Sequence, residues 1–112
     1  MTRIEAIIQP GVLEKVESAM LAIGIQRLVI TEVAERNLSN GPTACYRGAR
    51  YRVSMPRLKV EILVPSDRSE EALSALRQAA RCTSADDGTV IAYELAEAVL
   101  IHSGVHLQYS DV

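Results

Sequence analysis

Lys59-Val60-Glu61-Ile62-Leu63-Val64-Pro65 runs straight into Ser66-Asp67-Arg68-Ser69-Glu70-Glu71-Ala72-Leu73, and the change of rhythm at Pro65 decides the architecture. The first segment is a strongly apolar run closed by proline and reads as a strand. Asp67 followed by Glu70 predicts a helix start, with the Asp67 carboxylate capping free amides and Glu70 reaching back. Ala72, Leu73, Leu76, Ala79 and Ala80 then fall on one buried stripe. A polar turn, Cys82–Thr89, leads into a long last strand, Val90–Leu100.

Upstream, the same order is already present. Ile4–Gln9 reads as a strand, with Ile4, Ala6 and Ile8 on one face and Ile7 on the other, and Pro10-Gly11 ends it. Val12, Val16, Ala19, Met20 and Ile23 make one helical stripe, and Gly24 is placed to stop that helix in the left-handed conformation. In Arg27–Ala34, Leu28, Val29, Ile30 and Val33 leave both faces largely apolar, as in a strand covered on two sides. Strand–helix–strand twice over predicts one α+β domain across residues 1–112. It is the ferredoxin-like βαββαβ arrangement, a four-stranded antiparallel sheet with both helices on one face. Ile7, Val29, Leu63, Ile91, Tyr93 and Leu95 would make the other face apolar as well. A face of that kind marks an association surface, so a cyclic homo-oligomer is expected, a trimer being the simplest closed form.

The 112-residue chain is 48% hydrophobic yet contains neither Trp nor Phe, so its core must be built from Val, Ile, Leu, Ala and Met. No apolar run approaches the roughly 20 residues that span a bilayer, and Met1-Thr2-Arg3 enters a strand pattern at once. A cytoplasmic location is the expectation. Cys45 and Cys82 lack ligand-like spacing, which argues for reduced thiols and against a zinc site.

Function is expected in residues 35–58. A small domain rarely spends so long a polar connection on nothing. This stretch holds Arg36, Arg47, Arg50, Arg52 and Arg57 against one acid, Glu35, while the rest of the chain carries seven basic and thirteen acidic side chains. The formal charge of −2 therefore hides a cationic loop on an acidic body. Guanidinium forks suit carboxylate, phosphate or bicarbonate oxygens, so an anion or an acidic partner surface is the expected target.

Taken together these residues resemble the PII signal-transduction family. Arg3-Ile4-Glu5-Ala6-Ile7-Ile8-Gln9-Pro10, Ile23-Gly24-Ile25, Thr31-Glu32-Val33, Tyr46-Arg47-Gly48-Ala49 with Tyr51, the Lys59–Pro65 strand and Asp87-Gly88 carry the likeness in order and at matching spacing. The resemblance implies a trimer that reads adenine nucleotides and a small metabolite in clefts between subunits. It also implies that the long loop, the family's T-loop, is presented to a transporter, enzyme or transcriptional partner. By the same likeness Ile7, Leu28, Val29, Glu61 and Leu63 would wall the adenine, and Asp87, Gly88 and Thr89 in the 82–89 turn would face the phosphates. Ser39, Tyr46, Arg47, Arg50, Tyr51 and Arg57 would serve the effector and the loop's partner. Residues 103–112 form a tail that folds over the cleft or remains free.

The departures from the family pattern are informative. Thr89 stands where the family has a phosphate-gripping lysine, Leu100 and His102 where it has two arginines, and Ser39 where it has a magnesium-site glutamine. Each charge-assisted hydrogen bond lost costs about 1.5–3 kcal/mol, so ADP or AMP is expected in preference to ATP. Tyr51, the position that some relatives modify, is flanked here by Arg50 and Arg52. These losses resemble the carboxysome-associated PII-like branch, which responds to bicarbonate. Nitrogen control through an ammonium transporter is the alternative, and a CutA-like metal-binding trimer is another. No resident cofactor or metal is expected, and the scattered His and Cys residues are too few for the metal reading. Catalysis is not expected either: His102 and His106 lie in strand or tail, where a spacing of four does not align side chains. A nucleic-acid module would want more aromatics in the loop than Tyr46 and Tyr51.

Overall fold

Alternation along the first strand sets the inside and outside of the sheet. In β1 (Thr2–Ile8), Thr2, Ile4, Ala6 and Ile8 are buried, while Arg3, Glu5 and Ile7 remain half-buried on the opposite face. The computed structural model describes residues 1–39, 41–82 and 88–112. Its further elements are α1 (Leu13–Ala22), β2 (Val29–Glu35), β3 (Thr43–Tyr46), β4 (Ala49–Arg52), β5 (Met55–Val64), α2 (Ser69–Ala80) and β6 (Gly88–Glu94). The main sheet has the order β2-β5-β1-β6 and is antiparallel throughout. This is the expected α+β ferredoxin-like arrangement.

One core lies between the helices and the sheet. Val16 and Met20 of α1 and Ala72, Leu76 and Ala80 of α2 pack with Ile4, Ala6, Ile8, Val60, Ile62 and Val64. Each large side chain fully buried here contributes about 1.5–3 kcal/mol by leaving water. Gly24 ends the first helix as its position suggests. Its φ is +89°, its amide donates to the Leu21 carbonyl at 3.0 Å, and the Ile25 amide donates to the Met20 carbonyl at 2.9 Å. Those two bonds close the helix end in a Schellman motif. Arg68 links the second helix to this point, its Nη2 donating to the Ile23 carbonyl at 2.6 Å.

Four expectations are corrected by the structure. A 3-10 turn, Ser66–Arg68, precedes α2, so Asp67 sits inside that turn; α2 begins with no side-chain cap, and Ser69 Oγ donates to the Ser66 carbonyl instead. The last strand stops at Glu94 and not at Leu100, because its partner β1 begins at Thr2, which pairs with Glu94. Beyond the bond from the Leu95 amide to the Met1 carbonyl, the chain turns into a small hairpin through the Val99–His106 bridge. That hairpin absorbs the start of the tail: Leu100 N donates to Val105 O at 2.9 Å and Leu107 N to Ala98 O at 3.0 Å. The 35–58 connection is shorter and more ordered than expected. Glu35 pairs with Met55, Ala34 with Pro56 and Val33 with Arg57, leaving 36–54 as the loop, and β3 and β4 form a second, separate sheet within it.

Candidate functional site

Strand register gathers the candidate residues on the sheet face away from the helices. Across β2, β5, β1 and β6 the partners Val29, Glu61, Glu5 and Ile91 form one row, and Thr31, Lys59, Ile7 and Thr89 form the next. Val29 and Ile91 are exposed, at 58% and 53%. Ile7, Glu61 and Leu63 are half-buried. Of the adenine candidates, Leu28 alone lies off this face, before β2 and packed against the core. Val29 and Thr89 belong to the two edge strands, separated by three strand spacings of about 4.8 Å each. A single copy therefore does not bring all the nucleotide candidates together. It places Val29, Glu61 and Leu63 toward one edge and Ile7, Gly88 and Thr89 toward the other. Asp87 lies outside the described residues.

Sequence reasoning expected an apolar open face and missed what occupies its centre. Arg3 pairs with Glu61 through Nη2 and with Glu5 through Nε at 3.3 Å, and Lys59 Nζ lies 3.2 Å from Glu61 and 3.9 Å from Glu5. The Tyr93 hydroxyl donates to Glu5 Oε1 at 2.7 Å. Two cations and two carboxylates make the network neutral, with apolar side chains around it. The signal was present in the alternation Arg3-x-Glu5 and Lys59-x-Glu61, which puts all four charges on one face of adjacent strands.

The Tyr93 bond has a measurable consequence. Donation to the Glu5 carboxylate, together with partial desolvation, raises the Tyr93 pKa above the ordinary phenol value. A raised pKa means that the interaction is intact below the usual tyrosine pKa of about 10 and is lost as pH climbs through the higher folded value. In an ultraviolet titration, one tyrosine should ionise later than the others, and Tyr93→Phe should remove that late phase. An unchanged titration curve in the variant would contradict the assignment.

At the loop, local geometry builds a two-faced hairpin. Thr43 pairs with Arg52 and Cys45 with Arg50 on one side, while Ala44 pairs with Tyr51 and Tyr46 with Ala49 on the other. Cations thus share one face and aromatics the opposite one. Arg47 and Gly48 at the tip have φ of +51° and +78°, the two positive values that a two-residue type I′ turn requires. The Arg47 guanidinium lies 5.2 Å from the centre of the Tyr46 ring. At the loop's foot Asn37 organises the chain: Ser39 N and Oγ donate to its Oδ1 at 3.1 and 3.0 Å, and Gly41 N and Arg52 Nη1 donate to its carbonyl. Arg57, an expected effector contact, is only 6% exposed, with its Nε 3.5 Å from Glu35 Oε1. It anchors the foot and does not project. Tyr46 and Tyr51 are exposed, as a partner contact requires.

Gly41 is sterically committed. A Cβ there would meet the Asn37 carbonyl oxygen at 2.5 Å. Gly41→Ala should cost the foot about 1–3 kcal/mol while leaving the body's unfolding midpoint nearly unmoved. Hydrogen exchange checks this: the Gly41 and Val53 amides should lose protection and those of β1 should keep it.

A cleft of about 330 Å³ opens at the other end of the sheet, lined by Ile7, Leu73, Arg77, Arg81, Gly88 and Thr89 among others. It contains three of the nucleotide candidates. Arg77, in the last turn of α2, and Arg81, just after its end, were not singled out by sequence reasoning, although Arg77-x-x-x-Arg81 brackets the end of the helix. Among the described residues no group of three or more His, Cys, Asp and Glu side chains is placed to hold a metal ion. No helix among them is long and apolar enough to cross a membrane.

The fold is a ferredoxin-like α+β domain with a long loop between β2 and β5 that carries its own two-stranded sheet. The family model described as nitrogen regulatory protein P-II matches residues 1–105, and the chain belongs to that family. It is 37% identical over 105 residues to the nitrogen regulatory protein P-II of Rhodospirillum rubrum and 40% identical over 105 residues to that of Rhizobium etli. It is 33% identical to nitrogen regulatory protein P-II 1 of Escherichia coli. In each case the match covers 93% of this chain and 94% of the relative. Proteins of this family are signalling regulators and not enzymes.

Proposed function

We propose that the protein is a trimeric, adenine-nucleotide-responsive regulator that acts on a nitrogen-related target, such as an ammonium transporter or an enzyme, through the 36–54 loop. The observation that carries this reading is the division of the nucleotide candidates between opposite edges of one face. Val29, Glu61 and Leu63 form one half-site and Ile7, Gly88 and Thr89 the other, so a complete pocket needs two copies side by side. The exposed Val29, Ile91 and Tyr93 beside the neutral ion network favour burial of this face in such an assembly. Ligand in the seam would meet the foot of the loop, where Glu35, Arg57 and Asn37 hold the hairpin, and would bias how the hairpin is presented.

ADP or AMP is the preferred nucleotide, because Thr89, Leu100 and His102 supply no permanent cation where a triphosphate would need three. The relatives' name supports nitrogen control over a carboxysome role. A second reading, with bicarbonate as a co-effector, is supported by the same shortage of cations, which suits a small, singly charged anion. Calorimetry with ATP, ADP and AMP, each with magnesium, 2-oxoglutarate or bicarbonate, separates these readings. ADP should bind at least as tightly as ATP, with no magnesium-dependent gain from 2-oxoglutarate. A strong synergy of magnesium, ATP and 2-oxoglutarate would overturn the nucleotide preference, and binding of no nucleotide at all would overturn the whole reading. A bicarbonate-dependent rise in affinity would favour the second reading.

A further inference from the structure

Two cations, Arg77 and Arg81, lie at the C-terminal end of α2. Arg3, Arg57 and Arg68 each have a carboxylate within 3.5 Å. Among the described residues, neither Arg77 nor Arg81 has an ion-pair partner, and both are exposed. Arg77 lies in the last turn of α2, and Arg81 directly follows its final residue, Ala80, where the backbone becomes extended. Both line the cleft that also contains Gly88 and Thr89. At about 330 Å³ this space lies at the lower end of the range for small-ligand pockets. Ile7 and Leu73 give it an apolar wall. Cations near a helix C-terminus also complement its dipole, which is the purely structural reason for arginines there. That reason explains neither their common cleft nor its position beside Thr89, one of the three positions where the resemblance leads one to expect a cation and there is none.

We propose that Arg77 and Arg81 are the cations that receive the phosphates of a nucleoside mono- or diphosphate, in the cleft that they share with Gly88 and Thr89. The inference rests on the adenine-nucleotide reading and supplies what that reading lacked, positive charge at the phosphate end. Two forked guanidiniums from the same chain replace a point charge on the turn. They match one or two phosphate groups better than three.

The test is titration of the full-length protein with ADP, AMP, inorganic pyrophosphate and adenosine, using wild type, Arg77→Ala, Arg81→Ala, the double variant and Lys15→Ala. Lys15 is an exposed cation on α1 and controls for a general change of charge. Each arginine variant should weaken ADP about tenfold or more and leave adenosine within about twofold. Lys15→Ala should leave ADP within about twofold, and Arg77→Lys should recover part of the loss. Pyrophosphate binding that is lost in the double variant shows that the phosphates are the contacted groups. A double variant that binds ADP like wild type overturns the inference while leaving the nucleotide reading intact, whereas a wild type that binds no nucleotide fails the reading itself. Thermal unfolding completes the test. Lower stability with unchanged ADP affinity would assign the arginines to the helix end alone and overturn the proposal.

Discussion

Gly88→Ala is expected to destabilise the fold by about 3 kcal/mol or more and to abolish nucleotide binding with it. A Cβ at this position would lie 1.9 Å from the Ile7 carbonyl oxygen and 3.0 Å from its carbon. Both atoms are backbone of β1, a central strand bonded on both edges, so neither can retreat without breaking a ladder. The φ of +110° adds strain for any residue with a side chain. Relief is available only by detaching the start of β6, where Gly88 pairs with Ile8 and Thr89 with Ile7. The same movement removes one wall of the Arg77–Arg81 cleft, so stability and affinity should fall together. Denaturant unfolding and ADP titration check the two halves. A variant within about 1 kcal/mol of wild type that retains ADP binding would show that the close approach is dispensable.

How far the chain could be read depended on the range of the interaction. The helix stripes were legible because Val16, Met20, Leu76 and Ala80 repeat at helical spacing and each stripe faces a single core. The Gly24 stop was legible for a similar reason, being a local demand for positive φ. The end of β6 was not legible, since it is set by where β1 begins, some ninety residues away in sequence. Nor was the inner structure of the loop. Its polar composition reads as a connection, yet Tyr46-Arg47-Gly48-Ala49 closes a two-residue turn and the cross-strand pairs follow from it. Arginine at the first turn position weakens that signal, because Asn or Gly fits positive φ better.

The candidate site was less legible than the fold. Ile7, Val29, Glu61, Leu63 and Thr89 share a face through strand register, and that grouping follows from alternation once the strands are placed. Arg57 reads as a free cation in sequence but is buried at the loop's foot, because the β2–β5 ladder runs past the expected end of the strand to the Glu35–Met55 pair. The ion network was overlooked because apolar neighbours dominate the same strands. Arg77 and Arg81 emerge only when the end of α2 is set against β6.

Glu61→Gln should leave the isolated fold nearly intact and weaken its assembly by roughly a hundredfold in concentration. The Glu61 side chain is 12% exposed and accepts from both Arg3 and Lys59, while Glu5, at 17%, shares the same two cations. Glutamine keeps the shape and removes one negative charge, so the neutral network gains a net positive charge. On an open face, water and salt screen that imbalance, and the cost stays near 0–1 kcal/mol. A second copy covering the face removes the screening, and an uncompensated charge then costs about 3 kcal/mol or more. Sedimentation of the variant over a dilution series should show dissociation where wild type remains assembled, with an unchanged far-ultraviolet spectrum. The double variant Arg3→Gln with Glu61→Gln restores neutrality and should recover much of the assembly, which a loss caused by shape alone would not permit. If Glu61→Gln assembles as tightly as wild type, this face is not the one that the copies bury.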